Sequence, residues 1–126
     1  MQAMKIIRFE SADSREPEKG WKRTSLCAET EISIEHFVKP ARHASPVHHH
    51  ENLQILVVLK GSLVIKTDVD GEQTLNEGDC AFLPSDESHS VINPTTELAA
   101  GLDIFVPGRS FDFWLDRIGR RTVGVR

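Results

Sequence analysis

Cysteine is scarce in this chain. The two present, Cys27 and Cys80, are far apart with no CxxC spacing, and each lies in an apolar stretch where a free thiol is expected to be buried as a small hydrophobe. A reducing, cytoplasmic setting fits that usage. Long apolar runs are missing too: no window of about 18 apolar residues exists, so no membrane partner is expected. The opening, MQAMKIIRFESADSRE, turns charged within its first ten residues and lacks the apolar core of a signal peptide. Excess positive charge is also lacking. A formal net charge of -4 and a pI near 5.8 provide no basic field for nucleic acid. The one basic run, RIGRRTVGVR, lies at the end, and residues 119–126 are expected to form a flexible tail.

What the chain does have is short β-rich runs broken by turn signals every eight to twelve residues, the pattern of an all-β sandwich or barrel. Strands are expected near residues 5–9, 21–29, 32–38, 46–50, 54–60, 62–68, 72–75, 80–84, 89–93 and 98–107. Asp70-Gly71 suits a two-residue type I′ hairpin turn. Gly61 and Gly78 mark further corners. Beyond Pro107 the period changes: Phe111, Trp114, Leu115 and Ile118 share one helical face, with Ser110 as N-cap. The expected organisation is an N-terminal arm or edge strand over 1–20, then a single barrel with a short C-terminal helix over 21–118. At 126 residues there is no room for a second domain.

The stretch PVHHHENLQILVVLKG, residues 46–61, holds three consecutive histidines. On an extended backbone side chains alternate, so His48 and His50 point one way and His49 the other. Gln54 opens the next strand and can add an amide oxygen beside the pair. His89, at the head of a later strand in GDCAFLPSDESHSVIN, can supply a further imidazole. His36 and His43 fit no ligand spacing.

These two stretches resemble the two sequence motifs of the cupin superfamily, HxHx(3)E…G and Gx(5)PxGx(2)Hx(3)N. Here the first reads His48, His50, Gln54 and Gly61, and the second Gly78, Pro84, Asp86, His89 and Asn93. The resemblance implies a double-stranded β-helix, a jelly-roll barrel, holding one divalent transition metal (Zn, Ni, Fe, Co or Mn) on His48, His50, Gln54 and His89. Asp86 stands where the second motif has glycine, and Arg42 where a glycine commonly precedes the HxH; both are loop changes. Gln54 stands where the motif has glutamate, and this departure bears on the chemistry.

Three neutral imidazoles and a neutral amide leave the full charge of a divalent ion uncompensated, which makes it a stronger Lewis acid. The missing carboxylate disfavours an Fe(II)/Fe(III) cycle and departs from the triad of non-haem iron oxygenases. By the same charge argument, a glutamate at 54 is expected to tighten metal retention. On the last long strand, Ala99, Gly101, Asp103 and Phe105 share a face, the two small residues keeping it hollow, while Leu102, Ile104 and Val106 line the other. An apolar outer face suggests cover by the arm or by a second subunit, hence a homodimer.

The HxHx(3)Q variant with a later D-x-F-x-P-x-R segment is similar to the KdgF-type cupins, which convert 4,5-unsaturated monouronates to linear keto sugars. Trp21-Lys22-Arg23 and Phe111-Asp112-Phe113 add to that likeness. It implies Asp103 and Arg109 as catalytic residues, with Phe105 and Arg109 around an anionic small-molecule substrate. Arg109 offers a planar fork for a carboxylate, Phe105 an apolar floor, and Asp103 a proton shuttle. The expected function is that of a metal-dependent lyase or isomerase on a small sugar acid. A metal-dependent dioxygenase or a non-catalytic binding cupin is the alternative.

Overall fold

The computed structural model describes residues 3–114. Among the described residues, nine strands form two antiparallel sheets: β1 (Ser14–Glu18), β2 (Trp21–Ala28), β3 (Ser33–Lys39), β4 (Leu53–Lys60), β5 (Leu63–Thr67), β6 (Gly71–Leu75), β7 (Cys80–Leu83), β8 (His89–Ile92) and β9 (Ala99–Val106). The larger sheet runs β1-β2-β3-β9-β4-β7 and the smaller β6-β5-β8. Strands next to each other in space but distant in sequence, such as β3 and β9, give the jelly-roll barrel. Helical structure among the described residues is confined to one 3₁₀ turn at Phe9–Ser11 and a turn entering a helix at 112–114. Ser110 Oγ accepts from the Asp112 amide at 3.2 Å, the capping bond expected of it. Leu115 and Ile118 of the expected helix, and the expected tail, lie outside the described residues.

Several local expectations are corrected. Residues 5–9 form no strand, and Met4, Ile6 and Ile7 are exposed. The edge strand is β1 instead, whose charged SREPE sequence disguises it. Pro17 is tolerated there because an edge strand leaves one row of amides unpaired and the register shifts between Arg15 and Glu18. Residues 46–50 are irregular apart from an isolated bridge between His48 and His89. The Asp70-Gly71 turn has three loop residues, with Thr67 paired to Gly71 and only Gly71 at positive φ. Cys80 is exposed, not buried, at the start of the edge strand β7.

The core lies between the sheets and is built from Phe37, Leu56, Val58, Leu63, Ile65, Leu83, Val91 and Ala99. Gly101 does not keep its face hollow. A Cβ there would lie 2.4 Å from Val57 O and 2.6 Å from the Phe37 ring, so the glycine makes room for the neighbouring strand and for Phe37. On β3 the ordinary alternation is inverted: Ser33, Glu35, Phe37 and Lys39 are buried, while Ile34, His36 and Val38 are only half-buried on the outer face. Cross-strand register places Ser33, Phe105 and Gln54 abreast, and Glu35, Asp103 and Leu56 in the next row. Polar chemistry therefore occupies the inward face of three adjacent strands.

Candidate metal centre

His48, His50 and His89 bring their ring nitrogens within 4.8 Å of one another where the two sheets meet. The strand-end bridge puts His48 beside His89 through two backbone bonds, His48 N–H to His89 O at 3.0 Å and the reverse at 2.9 Å. Each imidazole is then held by a carbonyl two residues away: His48 Nδ1 to Pro46 O at 2.8 Å, His50 Nδ1 to Asn52 O at 2.8 Å, and His89 Nδ1 to Glu87 O at 2.9 Å. A carbonyl only accepts, so all three rings carry their proton on Nδ1 and turn an Nε2 lone pair toward the cluster. Burial holds the His48 pKa down at about 4 and lowers that of His89, and the mutual repulsion of the rings adds to the effect. Neutral imidazole is the form that ligates metal. His49 is not part of the cluster: its side chain is 66% exposed and lies 3.9 Å from Asp86.

Gln54 decides whether a cation fits. Its Nε2 donates to Asp103 Oδ1 at 2.7 Å, which orients the amide, since flipping it would set an oxygen against a carboxylate. The Oε1 is then 3.1 Å from His50 Nε2, a nitrogen whose lone pair also faces it. With the ring neutral, two acceptors meet at that distance, and a cation beside them satisfies both. His89 Nε2 is likewise buried without a hydrogen-bond partner. An orphaned ring nitrogen, two further lone pairs and an aimed amide oxygen form a donor set that fits a divalent ion of imidazole-preferring type.

Beside the cluster lies a cavity of about 370 Å³, reached by His48, His50, Gln54, Asp103, Phe105 and Arg109 and walled by Trp21, Phe37 and Trp114. This is a small-molecule volume. Asp103 is buried, Oδ1 accepting from Gln54 and Oδ2 from Arg23 Nη2 at 2.8 Å. Arg109 lies over the Phe105 ring at 3.9 Å and the Phe113 ring at 4.4 Å. Its Nη2 donates to both oxygens of Glu35, at 3.3 and 3.2 Å. The Phe105 face expected to meet a sugar is thus occupied by the guanidinium, and part of the fork expected to meet a carboxylate is engaged internally. Burial lowers the Arg109 pKa, an effect Glu35 only partly offsets. The Arg109 backbone is placed by its amide bond to Ser33 Oγ at 2.8 Å. Gly108 is needed just before it, because a Cβ would lie 2.0 Å from Glu29 O.

Sequence reasoning missed Glu35, 2% exposed, which joins Arg23, Arg109 and Trp114 in one network. Burial alone would raise its pKa, but the two guanidiniums hold it below the usual carboxylate range. Its parity with Phe37 on one strand was the available signal. A glutamate between isoleucine and histidine otherwise suggests a solvent-facing position.

The family model for the cupin domain matches residues 35–105. The chain is a cupin. A search of the curated proteins returns no match. Solved structures share the fold. An RmlC-like cupin from Shewanella frigidimarina is 23% identical at TM-score 0.77, over 89% of this cupin and 97% of that chain. KdgF from a Halomonas species is 20% identical at TM-score 0.76, over 89% and 99%. A cupin-superfamily sugar phosphate isomerase from Silicibacter pomeroyi is 21% identical at TM-score 0.70, over 82% and 75%. The cupin's two departures from motif glycine are informative in this light. Arg42 and Asp86 are its only described non-glycine residues at positive φ, 63° and 62°, so both loops keep the glycine conformation without the glycine.

Proposed function

We propose that this cupin is a metal-dependent enzyme of the lyase or isomerase type acting on a small sugar acid, with a 4,5-unsaturated monouronate as the substrate class. The observation that carries the reading is the neutral donor set: three imidazoles fixed with Nε2 inward and a glutamine oxygen aimed at them. Among the described residues no carboxylate belongs to that cluster. This supports Lewis-acid over redox chemistry and weakens the dioxygenase alternative. The KdgF-like motifs supply the substrate class.

A bound divalent ion supplies polarisation of a substrate oxygen. The chain's own residues supply the rest. Arg109, pinned between two aromatic rings, offers its remaining N–H groups to the substrate carboxylate. Phe105 backs that guanidinium and meets the His50 ring edge-on at 5.4 Å, so it aligns the anion site with the metal site. Asp103 keeps one lone pair on each oxygen beyond its bonds to Gln54 and Arg23, and it can hold a proton moving to or from the sugar acid.

A second reading, a non-catalytic cupin that binds a small anion, is favoured by the engagement of both Asp103 oxygens in structural bonds. One experiment separates the two. Metal-loaded protein is incubated with a panel of unsaturated uronates while the ultraviolet absorbance of the conjugated double bond is followed. Loss of absorbance that stops on chelation is expected. Saturable binding without absorbance loss would establish the binding module instead.

A further inference from the structure

The Gln54–Asp103 bond implies that the identities of these two residues are coupled. We infer that Asp103 is a positioning residue for the fourth metal ligand, and that position 54 holds glutamine because the side chain at 103 accepts a hydrogen bond from it. The inference rests on the metal-centre part of the proposed function and not on any substrate.

Two donors converge on Asp103, and this fixes which way each hydrogen bond points. Arg23, buried and bound to Glu35, donates to Asp103 Oδ2. Asp103 Oδ1 accepts from Gln54 Nε2, which leaves Gln54 Oε1 to face the histidines. Arg23 has no acceptor atom, so the order cannot reverse while Asp103 is a carboxylate. Positions 54 and 103 are diagonal neighbours on adjacent strands, since Gln54 stands opposite Phe105 and Leu56 opposite Asp103, and backbone register keeps them in reach. A glutamate at 54 would bring two carboxylate oxygens to the 2.7 Å now spanned by an N–H···O bond. Carboxylate oxygens only accept, so the side chain that was to strengthen the site loses the bond that aims it. The expectation that charge alone would make Gln54→Glu tighten metal retention is therefore reversed.

The same logic identifies the compensating change. An asparagine at 103 would give its oxygen to Arg23 and present its NH₂ toward position 54. With glutamine there, the amide must flip to offer oxygen, turning its own NH₂ onto the histidines. With glutamate there, the asparagine NH₂ donates to one carboxylate oxygen and the other is aimed at the ion. The pair Gln54→Glu/Asp103→Asn conserves net charge, so it separates hydrogen-bond polarity from electrostatics.

The test is a double-variant cycle read as the dissociation constant for Zn(II), from competition with a chromophoric chelator and with no substrate present. Each single variant is expected to weaken Zn(II) by about 10- to 100-fold, the usual loss when a residue supporting a ligand is removed. The double variant should recover wild-type affinity or exceed it. Single variants that fold poorly leave the double variant against wild type as the deciding comparison, with circular dichroism checking its fold. Gln54→Glu alone binding as tightly as wild type, or a folded double variant no better than either single, would overturn the inference. Wild-type protein that holds no Zn(II) would overturn the metal centre and this inference with it. Failure of uronate turnover with the cycle intact would leave the inference standing and sink only the sugar-acid reading.

Discussion

Arg109 and Glu35 share a one-sided contact: both carboxylate oxygens of Glu35 meet the single Nη2 of Arg109, at 3.3 and 3.2 Å. The Arg109 side chain, 12% exposed, lines the cavity, and its Nε is buried without a hydrogen-bond partner. Glu35 therefore acts as an anchor that holds a cation at the wall without neutralising it alone, because Arg23 leans on the same carboxylate. In the sugar-acid reading Arg109→Ala should cost about 2–4 kcal/mol of transition-state stabilisation, a loss of roughly 30- to 1000-fold in kcat/KM. Arg109→Lys should retain part of it. Metal content should not change in either. Full turnover by Arg109→Ala would remove the carboxylate clamp from the account.

Arg23 is 4% exposed, ion-paired to Glu35 and Asp103 and stacked 4.7 Å from the Trp114 ring. Replacing it with methionine keeps apolar bulk but leaves Glu35 with Arg109 and Trp114, and Asp103 with Gln54 alone. Such removal of one partner from a buried ionic group costs about 3–5 kcal/mol. Urea unfolding should show that loss with little change in slope. A change within the error of the extrapolation would mean that Arg109, Trp114 and Gln54 suffice for the two carboxylates.

Acid should destabilise the metal-free protein through its histidines. A pKa lowered to about 4 in the folded chain means the unfolded state binds the proton more readily below the ordinary value of 6.5. Stability is then fully present above about pH 6.5 and is lost as pH falls toward about 4. Thermal melts of chelated protein across that window should show a falling Tm. His48→Gln should flatten the fall, and an unchanged slope would mean that His48 does not contribute to it.

The outer face of the larger sheet carries Ile34, Val38, Leu102, Ile104 and Val106, all half-buried, with Phe9 of the N-terminal segment packed 4.9 Å from His36. A second copy of the chain is the proposed cover. Light scattering should return twice the 14.1 kDa of one chain, and a mass of 14.1 kDa at micromolar concentration would contradict the proposal.

The barrel and the histidine cluster were legible because they depend on local rules. Strand runs, turn glycines and the spacing of His48, His50 and His89 are written along the chain. The face each residue presents was harder. On β3 the apolar residues suggest the inside and the charged ones the outside, yet Glu35 is the buried one. A strand beside a polar cavity inverts the usual alternation, and only the parity of Glu35 with Phe37 hints at it. Arg23 and Glu35 find each other only when β2 and β3 pair, and Asp103 joins them only when β9 closes the sheet. The role of Gln54 was half visible: its neutrality was plain, but the carboxylate that orients it comes from 49 residues away.

The central claim is one ion per chain on His48, His50, Gln54 and His89, and elemental analysis tests it most directly. Protein purified without chelator, or reloaded with a divalent transition metal and desalted, should carry about one ion per chain. His49→Ala should carry the same amount, and His48→Ala/His89→Ala, folded by circular dichroism, should carry none above a blank. Wild-type protein with no ion after reloading, or a double variant that keeps it, would contradict the account.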